Sequence, residues 1–491
     1  LLMNLKAIFN VIGILLILLS GILLVPLAVS LFYADPAPNH QWTPVAAFLA
    51  SCIGSGITGL LLWKLLPSGI EKLREREGFV IVGVAWLIIT FFGALPFYLT
   101  GICPQFVDAY FESMSGFTTT GASILTHIDT LPHGILLWRN LMQWLGGMGI
   151  IILSLAIFPA LGIGSFQLFK AEIPGGATVE RMKPRLAETA KVLWKTYLVL
   201  TLVEIVLLKA GGMGLFDAVC HTFSTMATGG FSPHQASVGY FNNLYFETVI
   251  MLFMFLGGMN FALHYNLILG NFKVVFQNPE LRFYVSMMVI AVAITTLGLA
   301  YDSGDSLGHA FRRAAFNVVS INSTTGYTTD DFNLWPDYLR ILMVVIMMVG
   351  GCSGSTSGSF KIIRVIILFK VIARELQKLI HPRAVVRIKV GQKPLPPDYV
   401  MNVVALAGLF LGLTVVGCIA LTWMGVDLTT ALTASVACLF NIGPGMGQVG
   451  PTANYAALPE GGKWIMILWM LMGRLEIFGI LLLCLPVTWR K

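Results

Sequence analysis

Charge is what this sequence is shortest of. Asp, Glu, Lys and Arg make up 11% of its 491 residues, whereas a soluble domain carries roughly 25%, and the shortfall excludes an ordinary water-facing surface. Hydrophobic residues take their place at 56%, with a mean hydropathy of +0.81, so the chain is built for a bilayer. Its seven cysteines are scattered, mostly inside apolar runs and without metal-ligand spacing, which leaves small buried thiols rather than a zinc site. No glycine-rich loop ending in Lys-Ser or Lys-Thr is present, so the chain has no phosphate cradle of that kind. The stretch GGCSGSTSG, 350–358, lacks that lysine and lies in a membrane segment. Glu112, Glu204, His221 and His264 fall in separate segments instead of converging, which argues against an enzyme. The net charge of +7 comes from a few short basic stretches between apolar runs, not from a nucleic-acid-binding face.

What is present is apolar length. A helix needs about 20 apolar residues to cross a ~30 Å hydrocarbon core, and ten runs qualify, near 8–32, 42–66, 79–101, 135–159, 190–212, 244–270, 281–301, 338–369, 400–424 and 463–486. The first is too long for the core of a secretion signal and is expected to remain as a helix. Placing the N-terminus in the cytoplasm puts most Lys and Arg residues inside, in the stretches Lys64–Arg76, Lys170–Lys195, Lys273–Arg282 and Lys361–Lys393 and at Arg490 and Lys491. The positive-inside bias therefore predicts cytoplasmic N- and C-termini.

The long outer connections are the informative part. Four of them carry DAYFESMSGFTTTGAS, DAVCHTFSTMATGGFS, GHAFRRAAFNVVSINSTTGYTT and LTTALTASVACLFNIGPGMG. In each, about a dozen semi-apolar residues lead into a polar turn with a glycine, at Gly121, Gly229, Gly326 and Gly443. A dozen helical residues rise only about 18 Å, so each reads as a half-helix that dips in from outside and returns as loop. The helix that follows carries LGGMG, LGGMN, VGGCSG or MGRLE at a corresponding place. Close helix packing would account for any one of these glycine pairs; their recurrence points to a fourfold internal repeat. The predicted architecture is an all-α integral membrane protein, with two N-terminal helices over 1–76 and repeats over 77–172, 173–274, 275–394 and 395–491.

Irregular backbone at membrane depth survives only where protein buries it or where it lines a watery path. Four such turns around an axis would present rings of backbone carbonyls able to replace the hydration shell of a bare monovalent cation. The expected ion-binding set is Thr119, Thr120 and Gly121; Ala227, Thr228 and Gly229; Thr324, Thr325 and Gly326; and Asn441, Ile442 and Gly443. Thr120, Thr228 and Thr325 would add a hydroxyl ligand or wedge the loop against its half-helix. None of the turns holds a charged side chain, which argues against a carboxylate ring or an anion pore. Asp129, Asp330, Asp331 and Asp337 lie just outside, either concentrating cations or serving as ordinary solvated loop acids.

These turns, TTTGAS, MATGGFS, STTGYTT and NIGPGMG behind two leading helices, resemble the membrane subunits of Trk-type bacterial potassium uptake systems, the TrkH and KtrB superfamily. The resemblance covers essentially the whole chain and favours the TrkH branch. It implies a single-chain counterpart of a tetrameric potassium channel around a central pore in the bacterial inner membrane, with potassium as substrate and no cofactor. Ion-coupled symport of potassium with protons or sodium is the alternative.

The eighth run is expected to break over Gly350, Gly351, Cys352, Ser353, Gly354, Ser355, Thr356, Ser357 and Gly358, because each glycine costs about 1 kcal/mol in a helix. A packing kink is the other reading. The resemblance implies an intramembrane loop that obstructs the pore there and meets Arg474. Arg474 falls near mid-membrane, where a charge must face protein or water, and an ion pair with Glu476 is its other possible use. The resemblance further implies a homodimer in membrane lipid, docked on a cytosolic TrkA-like nucleotide-binding subunit through the basic inner loops.

Overall fold

Two leading helices and four copies of a helix, half-helix, turn and second helix make up the computed structural model, which describes residues 4–38, 41–66, 75–149, 186–391 and 393–486. The leading pair is α1 (Leu5–Phe32) and α2 (Pro44–Leu65). They touch through glycine: a Cβ on Gly13 would lie 2.7 Å from the Gly59 carbonyl, and one on Gly59 equally close to that of Gly13. Small residues of this kind let helices pack in lipid, where no hydrophobic force draws them together.

Repeat 1 contains α3 (Glu75–Leu99), the half-helix α4 (Phe106–Phe117) and α5 (His133–Met148). Repeat 2 contains α6 (Leu186–Ala210), the half-helix α7 (Leu215–Met226), α8 (Leu244–Gly257) and α9 (Phe261–Ile268), followed by the short α10 (Phe272–Phe276). Repeat 3 contains α11 (Pro279–Ser303), the half-helix α12 (Leu307–Asn322), α13 (Asp337–Val349) and α14 (Ile362–Ile380). Repeat 4 contains α15 (Pro397–Trp423), the half-helix α16 (Leu428–Leu439), α17 (Glu460–Arg474) and α18 (Phe478–Cys484). Among the described residues the only strands are Lys389–Val390 and Lys393–Pro394, paired antiparallel, so the fold is all-helical.

Three half-helices have 12 residues and the third has 16, too short to cross a membrane. Asp427 caps α16 by accepting from Thr430 N at 2.9 Å, and Ser306 caps α12 by accepting from His309 N at 3.4 Å. Their C-terminal halves are buried against the surrounding helices, as irregular backbone continuing from them at that depth requires. On the outside of the molecule, apolar side chains such as Val289, Ile290 and Leu297 of α11 and Leu411, Val415 and Ile419 of α15 stay exposed. In a bilayer that face is solvated by lipid.

Five described helices are long and apolar enough to span: Leu5–Phe32, Pro44–Leu65, Glu77–Leu99, Pro279–Asp302 and Pro397–Trp423. Sequence reasoning placed a break in the eighth run alone, and that run is interrupted between Val349 and Ile362. Two more runs differ from expectation. Leu244–Gly257 and Phe261–Ile268 meet at 106°, and Glu460–Arg474 and Phe478–Cys484 at 119°. The second helix thus breaks within its glycine word in repeats 2, 3 and 4. In repeat 4 the bend is carried by Glu476 and Ile477, both at positive φ, a conformation that hydropathy cannot register. In repeat 1, α5 ends at Met148; residues 150–159 of the fourth run and the basic loop over 160–185 lie outside the described residues.

Candidate functional site

Each half-helix runs into a turn of the same shape. Positive φ recurs at two residues separated by one: Thr119 and Gly121, Thr228 and Gly230, Thr324 and Gly326, Asn441 and Gly443. The residue between them donates its N–H back to the half-helix, Thr120 to Ser115 O (2.9 Å), Gly229 to Ser224 O (2.8 Å), Thr325 to Ser320 O (2.8 Å) and Ile442 to Ala437 O (2.9 Å). Both patterns give one register, and it corrects the sequence alignment in repeat 2. The counterpart of Gly121 is Gly230, while Gly229 stands where the other repeats have Thr120, Thr325 and Ile442. Two adjacent glycines in ATGG made the first look equivalent; counting from the end of the half-helix would have found the second. Positive φ at threonine is a strained state, and such strain concentrates at functional sites.

The four turns close into a ring. A Cβ built on Gly121 would lie 2.1 Å from Gly229 O, one on Gly230 2.0 Å from Thr325 O, one on Gly326 2.2 Å from Ile442 O, and one on Gly443 2.7 Å from Thr120 O. Each glycine therefore presses on the carbonyl at the preceding register position of the next repeat, and the fourth returns to the first. Only a residue without Cβ fits there. Thr119, Thr120, Ala227, Thr228, Thr324, Thr325, Asn441 and Ile442 are buried. Gly121, Gly230, Gly326 and Gly443 line a common cavity.

The hydroxyls of Thr120, Thr228 and Thr325 have partners within their own turns. Thr120 Oγ1 lies 2.8 Å from Thr118 Oγ1, Thr325 Oγ1 2.8 Å from Ser323 Oγ, and Thr228 Oγ1 donates to Ala227 O at 2.7 Å. Asn441, which stands in the register of Thr119, donates to Thr120 Oγ1 of repeat 1 and to Met470 O, both at 2.9 Å.

Behind the ring, a polar residue of each half-helix holds the segment that leaves the turn. Glu112 accepts from Ile124 N (2.9 Å), His221 Nε2 lies 3.2 Å from Ser232 Oγ, Asn317 donates to Thr329 Oγ1 (3.2 Å), and Thr433 Oγ1 accepts from Met446 N (2.9 Å). Seams between repeats are stitched separately. Tyr327 OH donates to His221 O and Phe231 O, and Tyr455 N donates to Ser123 O. Arg139 bonds Glu112 at 2.8 Å, Ser232 O at 3.0 Å and Ser123 Oγ at 3.2 Å, with its guanidinium 4.2 Å from the Phe231 ring centre. Both members of the Arg139–Glu112 pair are buried, and removing one strands the other. Arg139→Met is expected to destabilise the protein by about 3–5 kcal/mol, and Arg139→Met with Glu112→Leu by clearly less. Thermal unfolding of the detergent-purified variants checks this.

The acids flanking the turns, Asp129, Asp330, Asp331 and Asp337, all have partners. Asp330 pairs with Arg313 (2.6 Å) and accepts from Trp335 Nε1 (2.7 Å), Asp331 accepts from Asn333 N and Thr452 Oγ1, and Asp337 pairs with Arg340. Asp129 lies 3.4 Å from His234 Nδ1, while Asp217 lies 3.4 Å from His234 Nε2. Burial alone would lower the His234 imidazole, but the carboxylates of Asp217 and Asp129 outweigh it and raise it above its ordinary value.

Beneath the ring lies the loop between α13 and α14. Gly350 and Gly354 adopt positive φ. Cys352 N donates to Gly258 O, Gly354 O accepts from Phe261 N, and Gly351 O accepts from Ile362 N. Ser353 N donates to Glu280 at 2.6 Å, and Ser355 Oγ folds back on Cys352 O. The rest of the loop reaches upward. Thr356 Oγ1 donates to Met226 O (3.0 Å) of repeat 2, Ser357 Oγ to Ser323 O (2.7 Å) of repeat 3, Gly358 N to Thr324 Oγ1 (2.9 Å), and Ser359 N to Phe440 O (2.8 Å) of repeat 4. Arg474 supplies repeat 1: it donates to Thr119 Oγ1, Thr356 O and Gly147 O, each at 3.1 Å, and to Gly146 O. Glu476 is engaged by Arg364 (2.6 Å) and Lys361 (3.3 Å). A second cavity lies under the loop, lined by Gly147, Ser355, Ser357, Lys361, Arg474 and Glu476 among others.

The family model described as TrkH, cation transport protein, matches residues 46–488. The chain belongs to the TrkH family. It is 43% identical to the Trk system potassium uptake protein TrkH of Salmonella typhimurium and 42% identical to that of Escherichia coli K12, with all of each chain covered. It is 34% identical to TrkG of Escherichia coli K12 over 99% of both chains. Among solved structures it is similar to the crystal structure of the potassium transporter TrkH from Vibrio parahaemolyticus, with a TM-score of 0.87 and 37% identity over 99% of this chain and 100% of that one. Family members of this kind are transport proteins, not enzymes.

In this TrkH-family chain sequence reasoning missed Gly230, the Glu280 anchor of the loop and the Glu476 ion pairs. Gly230 was recoverable by counting. The other two join residues far apart in sequence, and no local pattern announces them.

Proposed function

We propose that this chain carries potassium into bacteria across the inner membrane, through a four-loop filter, and that the loop over 350–358 together with Arg474 is its gate. The observation that carries the reading is the closed contact of Gly121, Gly230, Gly326 and Gly443 with the carbonyls of Gly229, Thr325, Ile442 and Thr120. Main-chain oxygens gathered in this way suit a dehydrated monovalent cation, and the C-terminal ends of four half-helices favour positive charge. Potassium is the substrate, since the relatives named above are potassium uptake proteins. The ion-binding set is the twelve residues expected from sequence with Gly230 added, and the repeats are bounded at 77–172, 173–274, 275–394 and 395–491.

Arg474 closes the path in two ways. It binds the loop through Thr356 O, and its charge opposes a cation in a low-dielectric passage. Both termini face the cytoplasm. The protein works as a homodimer, with a TrkA-like nucleotide-binding subunit on its basic inner loops.

The test is rubidium uptake into proteoliposomes containing the purified protein, with sodium as competitor and without an imposed proton or sodium gradient. Saturable uptake that sodium competes with poorly is expected. Uptake that appears only with a proton or sodium gradient would instead assign the chain to symport.

A further inference from the structure

Repeat 2 departs from the other turns at one point. The register position filled by Thr120, Thr325 and Ile442 is Gly229, so the ring there lacks a side chain. The vacancy is filled from repeat 1. Gln143 of α5, fully buried, donates from Nε2 to Gly229 O at 2.7 Å and accepts from Phe231 N at Oε1 at 3.0 Å. One amide thus satisfies two main-chain groups flanking Gly230. A Cβ on Gly229 would lie 2.4 Å from Gln143 Cδ, so the glutamine amide occupies the space that a side chain at position 229 would take.

The corresponding positions of the other repeats sharpen the point. Gln143 stands three residues before Gly146, the first glycine of its LGG word. Three residues before Gly257, Gly350 and Gly473 stand Met254, Met347 and Met470, all buried. A methionine fills space but has no N–H to donate. The single polar residue in this set of four therefore faces the single turn without a side chain at the ring position.

We infer that Gln143 is a specificity-determining positioning residue, which fixes the Gly229 carbonyl and the path of Phe231 so that repeat 2 matches the other three turns. This rests on the reading of the turns as a cation filter. Gln143 acts through backbone rather than on the ion, so its signature is selectivity rather than protein amount.

The experiment is a mutant cycle in the full-length protein, reading the rubidium-to-sodium uptake ratio in proteoliposomes at equal protein. Gln143→Ala leaves Gly229 O and Phe231 N without their buried partner, and Gly229→Thr forces the glutamine aside; each alone is expected to lower the ratio about tenfold. Together they create the Thr-Thr-Gly order of repeats 1 and 3 in the space the amide vacates, and the ratio is expected to return to within about threefold of the parent. Gln143→Met, the residue of the other three repeats, is expected to lower the ratio while keeping the helix packed. Additive losses in the double variant, or an unchanged ratio in Gln143→Ala and Gln143→Met, would overturn the inference. Gly121→Ser measured in parallel separates the two levels. If it changes the ratio while the Gln143 variants do not, only the role of Gln143 falls; if none does, the filter reading falls with it.

Discussion

Gly121→Ser is expected to cut the preference for potassium over sodium by about tenfold or more, with the protein still inserted and folded. Gly121 has φ of +79°, where an L-residue costs about 1–2 kcal/mol, and its new Cβ would lie 2.1 Å from Gly229 O. That oxygen belongs to the main chain and has no rotamer to escape into, so turns 1 and 2 must move apart. A ring that discriminates by the spacing of its oxygens loses discrimination when one seam opens, and each 1.4 kcal/mol lost is about tenfold. The corrected register makes a sharper comparison. Gly230→Ser would press on Thr325 O, whereas Gly229→Ser would press on the Gln143 side chain, which can turn aside when it gives up its two hydrogen bonds. Gly230→Ser is therefore expected to do more damage than Gly229→Ser. Competition of sodium against rubidium uptake measures all three, and an unchanged ratio in both Gly121→Ser and Gly230→Ser would remove these glycines from the ion path.

Replacing Arg474 with Ala is expected to raise cation flux about tenfold or more at equal expression. The guanidinium joins the loop, through Thr356 O, to Thr119 of repeat 1 and to the end of α5 at Gly146 and Gly147. It makes the contact with repeat 1, whereas the loop itself bonds repeats 2, 3 and 4. Hydrogen bonds from a charged donor are worth about 1.5–3 kcal/mol each, so losing even one shifts an equilibrium between blocked and open loop by roughly tenfold. Removing the charge also removes its repulsion of an entering cation. Lysine keeps the charge but has no planar fork to bridge three segments, so Arg474→Lys is expected to fall between the parent and Arg474→Ala. Rubidium flux into proteoliposomes distinguishes the three; equal flux would take Arg474 out of the gate.

Much of this is legible in the sequence, for reasons that act locally. Half-helices too short to span, polar turns ending in glycine and a recurring glycine word are one-dimensional patterns. The break over 350–358 was legible because four glycines and four Ser or Thr residues in nine positions disfavour helix by propensity alone. The bends after Gly257 and Arg474 were not, since LGGMN and MGRLE carry too few breakers. Their geometry is set by contacts: Phe261 N bonded to Gly354 O, Glu476 held by Lys361 and Arg364.

The sequence by itself determined the solvent, the helical class, the fourfold plan and the chemical character of the turns, because hydropathy, helix length and propensity act over neighbouring residues. Only the tertiary structure decided the closing of the four turns into a ring, the pairing of Gln143 with Gly229 and the placing of Arg474 between Thr119 and the loop. Those depend on residues dozens to hundreds of positions apart meeting at distances of about 3 Å, which no pattern over neighbouring residues can register.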